Sequence, residues 1–169
     1  IEARFGGIDV VVNSAGVLQL APLADTDDAL FERVIGINLK GAFNVLRESA
    51  RRVRDSGRII TLSTSVVGTR LENYSAYAAS KAAVETMSAI LSKELRGRNI
   101  TVNAVAPGPT ATDLFLDGKS PELIERLAKM SPLERLGTPE DIAGAVAFLA
   151  GADGGWINGQ VLRANGGMV

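Results

Sequence analysis

The chain has 169 residues with no cysteine and no histidine, and its 18 basic and 19 acidic side chains leave a net charge of −1. These counts exclude disulfides, thiol nucleophiles, Fe–S clusters and Cys-type zinc sites, together with Ser-His-Asp triads, HExxH zinc helices and imidazole proton shuttles. Any acid–base chemistry falls to Tyr, Lys, Asp or Glu, relayed by Ser, Thr or water.

Balanced charge offers no footprint for nucleic acid or an anionic membrane. The one local basic cluster, Arg47, Arg51, Arg52 and Arg54, is interrupted by Glu48 and Asp55 and reads as a solvated face. No apolar run approaches transmembrane length and no cleavable signal is visible, so a cytoplasmic protein is expected.

Ile1–Gly7 (IEARFGG) reads as the tail of a helix already running, closed by Gly6 and Gly7. Ile8–Asn13 (IDVVVN) is β-branched on consecutive positions, which predicts a parallel strand buried on both faces. Thr26 is expected to cap a helix carrying Leu30, Val34 and Ile37 at helical spacing, and a second helix covers Leu39 to Asp55. Gly57–Ser63 supplies the next strand, and a long helix rich in Ala, Leu, Met, Glu and Lys follows from about Asn73 to Arg96. Ile100–Gly108 is a third strand, Ser120-Pro121 and Thr138-Pro139 are helix starts, and Asn158–Leu162 is a fourth strand.

Strands separated by helices imply a parallel α/β sheet, whose ligands bind outside the carboxyl ends of the strands. The segments there are NSAG, STS and PGPTAT. Among nearby residues, Tyr77 and Lys81 lie four apart, so a helix presents phenol and ammonium on one face. Lowering a phenol from about 10 to near 7 needs about 4 kcal/mol. A wet lysine could not supply this, whereas a desolvated one with a second cation could. On residue type alone, the readier reading of Tyr77 is a packed ring on an ordinary helix, of Ser65 a turn residue, and of Asn38 a cap or kink. Gly118-Lys119-Ser120 resembles the end of a P-loop, but the earlier glycine that motif requires is Asp113 here, so it reads as a helix cap.

Taken in order, NSAG, INLKG, STSVVG, YAASK, NAVAPGPTAT and the final GxxINGQVLRANGG resemble the short-chain dehydrogenase/reductase family over essentially the whole chain, nearest its 3-oxoacyl-carrier-protein-reductase-like and glucose-dehydrogenase-like members. The resemblance implies a Rossmann-like doubly wound sheet and hydride transfer between NAD(P) and a carbonyl or secondary alcohol, with NADP slightly favoured. It implies Tyr77 as the general acid–base, and Lys81 as the residue that lowers its pKa and holds the nicotinamide ribose. Asn38 would position a water in a proton relay, and Ser65 would donate to the substrate oxygen, with Thr64 the alternative. Asn13, Ala15, Gly16, Pro107, Gly108, Thr110 and Thr112 match cofactor contacts, and no metal is implied. Residues 109–137 correspond to a substrate lid, in which Leu114, Phe115, Leu116, Leu123 and Leu127 form either an apolar wall or ordinary helix packing. The resemblance also implies a homodimer or homotetramer through the two long helices and the last strand.

The Gly-rich turn of the family has no match, so residues 1–169 are expected to be a single partial domain holding strands 4 to 7 of the family fold. The IDVVVN strand would then carry an unpaired, aggregation-prone edge. Two functions follow: the catalytic part of an oxidoreductase, or a catalytically silent remnant serving as an oligomerisation or protein-binding module.

Overall fold

The computed structural model describes residues 1–169. Its centre is a four-stranded parallel sheet in the order β1 (Ile8–Asn13), β2 (Val53–Leu62), β3 (Thr101–Pro107), β4 (Val161–Ala164). Each crossover is helical, as parallel pairing demands. After a short α1 (Glu2–Phe5), the first crossover is one long rod of α2 (Asp28–Val34), a π-helical stretch (Ile35–Gly41) and α3 (Ala42–Arg52). The second holds α4 (Val66–Thr69) and α5 (Ser75–Glu94). The third holds α6 (Asp113–Leu116), α7 (Pro121–Ala128) and α8 (Pro139–Ala150).

Strand alternation sorts the core into two layers. Ile59 and Val102, paired across β2 and β3, pack with Leu46 of α3 and Leu91 of α5 on one face. Ile60 and Val105 point the other way and pack with Leu149 of α8. The sheet is therefore covered on both sides, as in a doubly wound Rossmann-like fold.

Several expectations change. β1 is not buried on both faces: Val10 and Val12 are 43% and 45% exposed, because α8 lies over β2, β3 and β4 and not over β1. The cap of α2 is Asp27, whose carboxylate accepts the Leu30 N–H at 2.7 Å, while Thr26 donates to Pro22 O. The rod is not two separate helices, since the π stretch joins them. α3 stops at Arg52, and β2 starts at Val53 rather than Gly57. The pairing slips between Ile8↔Val53 and Val10↔Arg58, so β2 carries extra residues there. Gly57 lies within that irregularity, where a Cβ would come 2.7 Å from Asp9 O and 2.8 Å from Arg54 O. The last strand begins at Val161, because residues 158–160 form a turn fastened to β3: Asn158 Oδ1 accepts from Val102 N, and Asn103 Oδ1 from Gln160 N. The basic cluster is a solvated face, with Arg47, Arg51 and Arg52 all paired to Glu48 and Arg54 to Asp9.

Candidate active site

The carboxyl ends of β1, β2 and β3 open into a cavity of about 370 Å³. Of the residues singled out from sequence, Gly16, Ser65, Tyr77, Lys81, Pro107, Gly108, Thr110 and Thr112 line it, as does Thr64. Asn13, Ala15 and Asn38 do not. Asn13 is the last residue of β1, paired with Thr61, and Ala15 follows in the loop. Leu71, Tyr74, Ile142 and Met168 are lining residues that no motif pointed to, and Ser14 lines it from within NSAG. Of the apolar lid positions, Leu114, Phe115 and Leu127 face the cavity, and Leu116 and Leu123 do not.

Asn38 sits in the π stretch, where the altered turn carries its side chain into the interior, 1% exposed. Its Oδ1 accepts Val17 N–H at 2.8 Å, and its Nδ2 donates to Val17 O at 2.9 Å and to Ser80 Oγ at 3.3 Å. Asn38 thus clamps the loop after β1 to α5. Gly16 passes between: a Cβ there would stand 3.3 Å from Asn38 Oδ1 and 3.4 Å from Lys81 Nζ. This is the close backbone approach that glycine permits.

Lys81 is buried on α5, and its ammonium donates to Leu62 O at 2.8 Å. An ammonium has three donors, and this is the one protein acceptor recorded for it, so two N–H groups are free for a hydroxylated ligand. Burial pulls its pKa down to about 8. Nζ lies 5.9 Å from the Tyr77 ring centroid, and the Tyr74 ring meets Tyr77 edge-on at 6.3 Å between centroids. Burial raises the Tyr77 pKa, the neighbouring Thr64 hydroxyl opposes the rise, and Tyr74 adds to it. Desolvation is the largest of these effects on the phenol, and the Thr64 hydroxyl is the one that pulls it down.

The two neighbouring hydroxyls are used differently. Ser65 Oγ donates to Ala106 O at 3.1 Å and accepts from Asn165 Nδ2 at 2.9 Å, so it ties β2 to the end of β3 and to the Asn165 turn. Thr64 lines the cavity beside Tyr77 and accepts from Val66 N at 3.3 Å. Thr64 stands 13 positions before Tyr77 and Ser65 stands 12. Beyond β3, Thr110 pairs with Gly137 and its hydroxyl donates to Gly108 O at 2.9 Å, which folds the PGPTAT loop over the cavity.

A tyrosine, a threonine hydroxyl and a lysine with free donors converge in one cavity, an arrangement able to exchange a proton with a carbonyl or alcohol oxygen. Among known proteins, a family model described as enoyl-(acyl carrier protein) reductase matches residues 1–169. A short-chain type dehydrogenase/reductase of Picea abies is 51% identical over 172 residues, covering 99% of this chain and 64% of the relative. An NADPH-dependent aldehyde reductase-like chloroplastic protein of Arabidopsis thaliana is 48% identical over 166 residues, covering 96% of this chain and 62% of that protein. Among solved structures, the angucycline C-6 ketoreductase LanV with bound NADP superposes with a TM-score of 0.93 at 34% identity, covering 99% of this chain and 65% of its own. The chain therefore spans less than two thirds of the length of these relatives.

Proposed function

Since the chain belongs to the short-chain dehydrogenase/reductase family, we propose that it carries the catalytic part of an NADP(H)-dependent oxidoreductase acting on a carbonyl compound or secondary alcohol. The observation that carries this reading is the convergence of Tyr77, Thr64 and the two free donors of Lys81 in one cavity. Preference for NADP over NAD is drawn from relatives named for NADPH dependence and a neighbour holding NADP.

The residues fit the nicotinamide–ribose end of such a cofactor. Gly16 allows backbone approach beside Lys81, and Thr110 and Thr112 line the same cavity. Bound there, the dinucleotide supplies or accepts the hydride at the substrate carbon. Tyr77 gives its proton to the carbonyl oxygen on reduction and takes it back on oxidation. Thr64 donates to the same oxygen as negative charge builds on it. Lys81 holds the ribose hydroxyls and places its charge beside Tyr77 when the phenolate forms. The side chain of Asn38 is fully engaged with Val17 and Ser80, which leaves its main-chain oxygen for the water-positioning role. Residues 109–137 close over the substrate as a lid, with Leu114, Phe115 and Leu127 facing it. Exposed Phe43 on α3 and Ile90 on α5 support association of copies through the two long helices.

Calorimetric titration with NADPH and NADH, followed by NADPH consumption with a panel of aldehydes and ketones, tests the reading. Binding and turnover are expected, and Tyr77→Phe should lose nearly all turnover with NADPH affinity retained. A chain that binds neither dinucleotide supports the other reading, a silent module for protein association. Turnover retained in Tyr77→Phe removes the role given to the phenol.

A further inference from the structure

Resting on the oxidoreductase reading, we propose that the carbonyl compound this cavity takes is uncharged and carries an apolar ring, which lies against Tyr74. Three observations lead there. The first is charge: of the lining side chains, Lys81 is the sole cation, and no arginine or carboxylate is among them. A substrate carboxylate or phosphate calls for a dedicated cation or bidentate guanidinium. Lys81 is deep, bound to Leu62 O and pulled down by burial, and it stands beside Gly16 rather than out in the lid.

The second is how the lining hydroxyls are used. Ser63 donates to Glu85, Ser65 to Ala106 O, and Thr110 to Gly108 O. Each has its proton committed to the protein, so a polyhydroxylated substrate would bury hydroxyls with few partners, which is costly. Thr112 is turned to Thr110 O at 3.5 Å; with Tyr77 and Thr64 taken by the carbonyl oxygen, Ser14 and the Tyr74 hydroxyl are the few left over.

The third is the wall around that oxygen. Leu18, Leu71, Tyr74, Phe115, Ile142 and Met168 come from five separate segments of the chain and converge on the cavity. The Tyr74 ring, edge-on to Tyr77, is the aromatic surface next to the reacting oxygen. Aromatic rings favour edge-to-face and offset contacts of this kind with a bound ring. Tyr74 is thereby a specificity-determining residue, distinct from the proton-transfer group it touches.

The test is ligand-observed NMR titration of the chain with 1-tetralone, pyruvate and dihydroxyacetone, which are neutral and bicyclic, anionic, and hydroxylated. Tetralone is expected to bind at least about tenfold more tightly than either of the others. Tyr74→Ala should weaken tetralone about tenfold, and Tyr74→Phe should stay within about twofold, because the ring and not the hydroxyl makes the contact. Leu114→Asp, at an exposed lining position outside the buried core, should weaken tetralone about tenfold by setting a carboxylate in the wall. Pyruvate or dihydroxyacetone binding as well as tetralone overturns the proposal. So does tetralone binding unchanged in Leu114→Asp, whatever the fate of Tyr74→Ala. Binding is read without hydride transfer, so tetralone that binds but is never reduced counts against the oxidoreductase reading alone. Reduction of pyruvate in preference to tetralone counts against the apolar-ring assignment alone.

Discussion

Asn165 Nδ2 donates to Ser65 Oγ at 2.9 Å across a sequence separation of 100 residues. The same amide donates to Val169 O, while Asn165 Oδ1 accepts from Gly167 N and Met168 N. One side chain thus shapes the turn after β4, carries Met168 into the cavity wall, and fixes the Ser65 turn whose neighbour is Thr64. Asn165→Ala should cost about 1–2 kcal/mol in denaturant unfolding, since it leaves partly buried groups unpaired. Ser65→Ala should cost a similar amount. The double variant should fall short of their sum by about 0.5–1.5 kcal/mol, the coupling of two directly bonded groups. Full additivity in the cycle refutes the link.

Thr64 and Ser65 should separate in kinetics. With NADPH and a ketone, Thr64→Val is expected to lower kcat by about a hundredfold with little change in KM, as for loss of a donor acting on charge that builds in the transition state. Ser65→Ala should lose stability and keep kcat within about fivefold, because its hydroxyl serves Ala106 O and Asn165. The opposite ranking returns the role to Ser65.

Strand and helix order were legible because buried strands and capped helices leave periodic apolar and Gly/Pro marks, as in Gly57–Ser63 and Ser120-Pro121. Tyr77 and Lys81 were legible because helical spacing alone puts them on one face. The partners of the Ser65 hydroxyl were not, because they lie on β3 and in the Asn165 turn, far away in sequence. The exposure of Val10 and Val12 was hidden for the same reason: their own pattern states that they are apolar, and only the placement of α8 decides that nothing covers them. At Asn38 residue type marked a cap or kink, but not that the irregularity is a π stretch joining two helices into one rod.

Lys81 makes stability depend on pH. Its pKa is about 8 in the folded chain, down from the ordinary 10.5, so between those values the unfolded state holds the proton and the folded state does not. Stability therefore rises as pH climbs from about 8 to 10.5, and below 8 the charged, desolvated lysine weakens the fold in full. Lys81→Met should be more stable than the parent at pH 7 by about 1–3 kcal/mol, less whatever is lost with the bond to Leu62 O. That advantage should vanish by about pH 10.5, with turnover lost throughout. Urea unfolding of both proteins at pH 7 and pH 10 reads the difference, and a pH-independent gap would show that Lys81 is not desolvated.

Two glycine-to-alanine changes should move stability in opposite directions. At Gly108 a new Cβ would stand 2.9 Å from the Asn165 backbone Cα and 3.3 Å from its carbonyl oxygen. Neither atom is the free end of a flexible side chain, so either the PGPTAT loop or the Asn165 turn must move. Gly108→Ala should therefore cost about 1–3 kcal/mol, the usual penalty for overpacking. It should also weaken NADPH binding, because both segments border the cavity that takes it. Gly144 lies on the exposed side of α8, and nothing comes within 4 Å of its added Cβ. There alanine removes only backbone freedom from the unfolded chain, and Gly144→Ala should stabilise by about 0.5–1 kcal/mol. Paired thermal melts of the two variants, run beside an NADPH titration, separate the effects. A destabilised Gly144→Ala would mean that the outer face of α8 is covered in solution, and an unperturbed Gly108→Ala would mean that the Asn165 turn yields without cost.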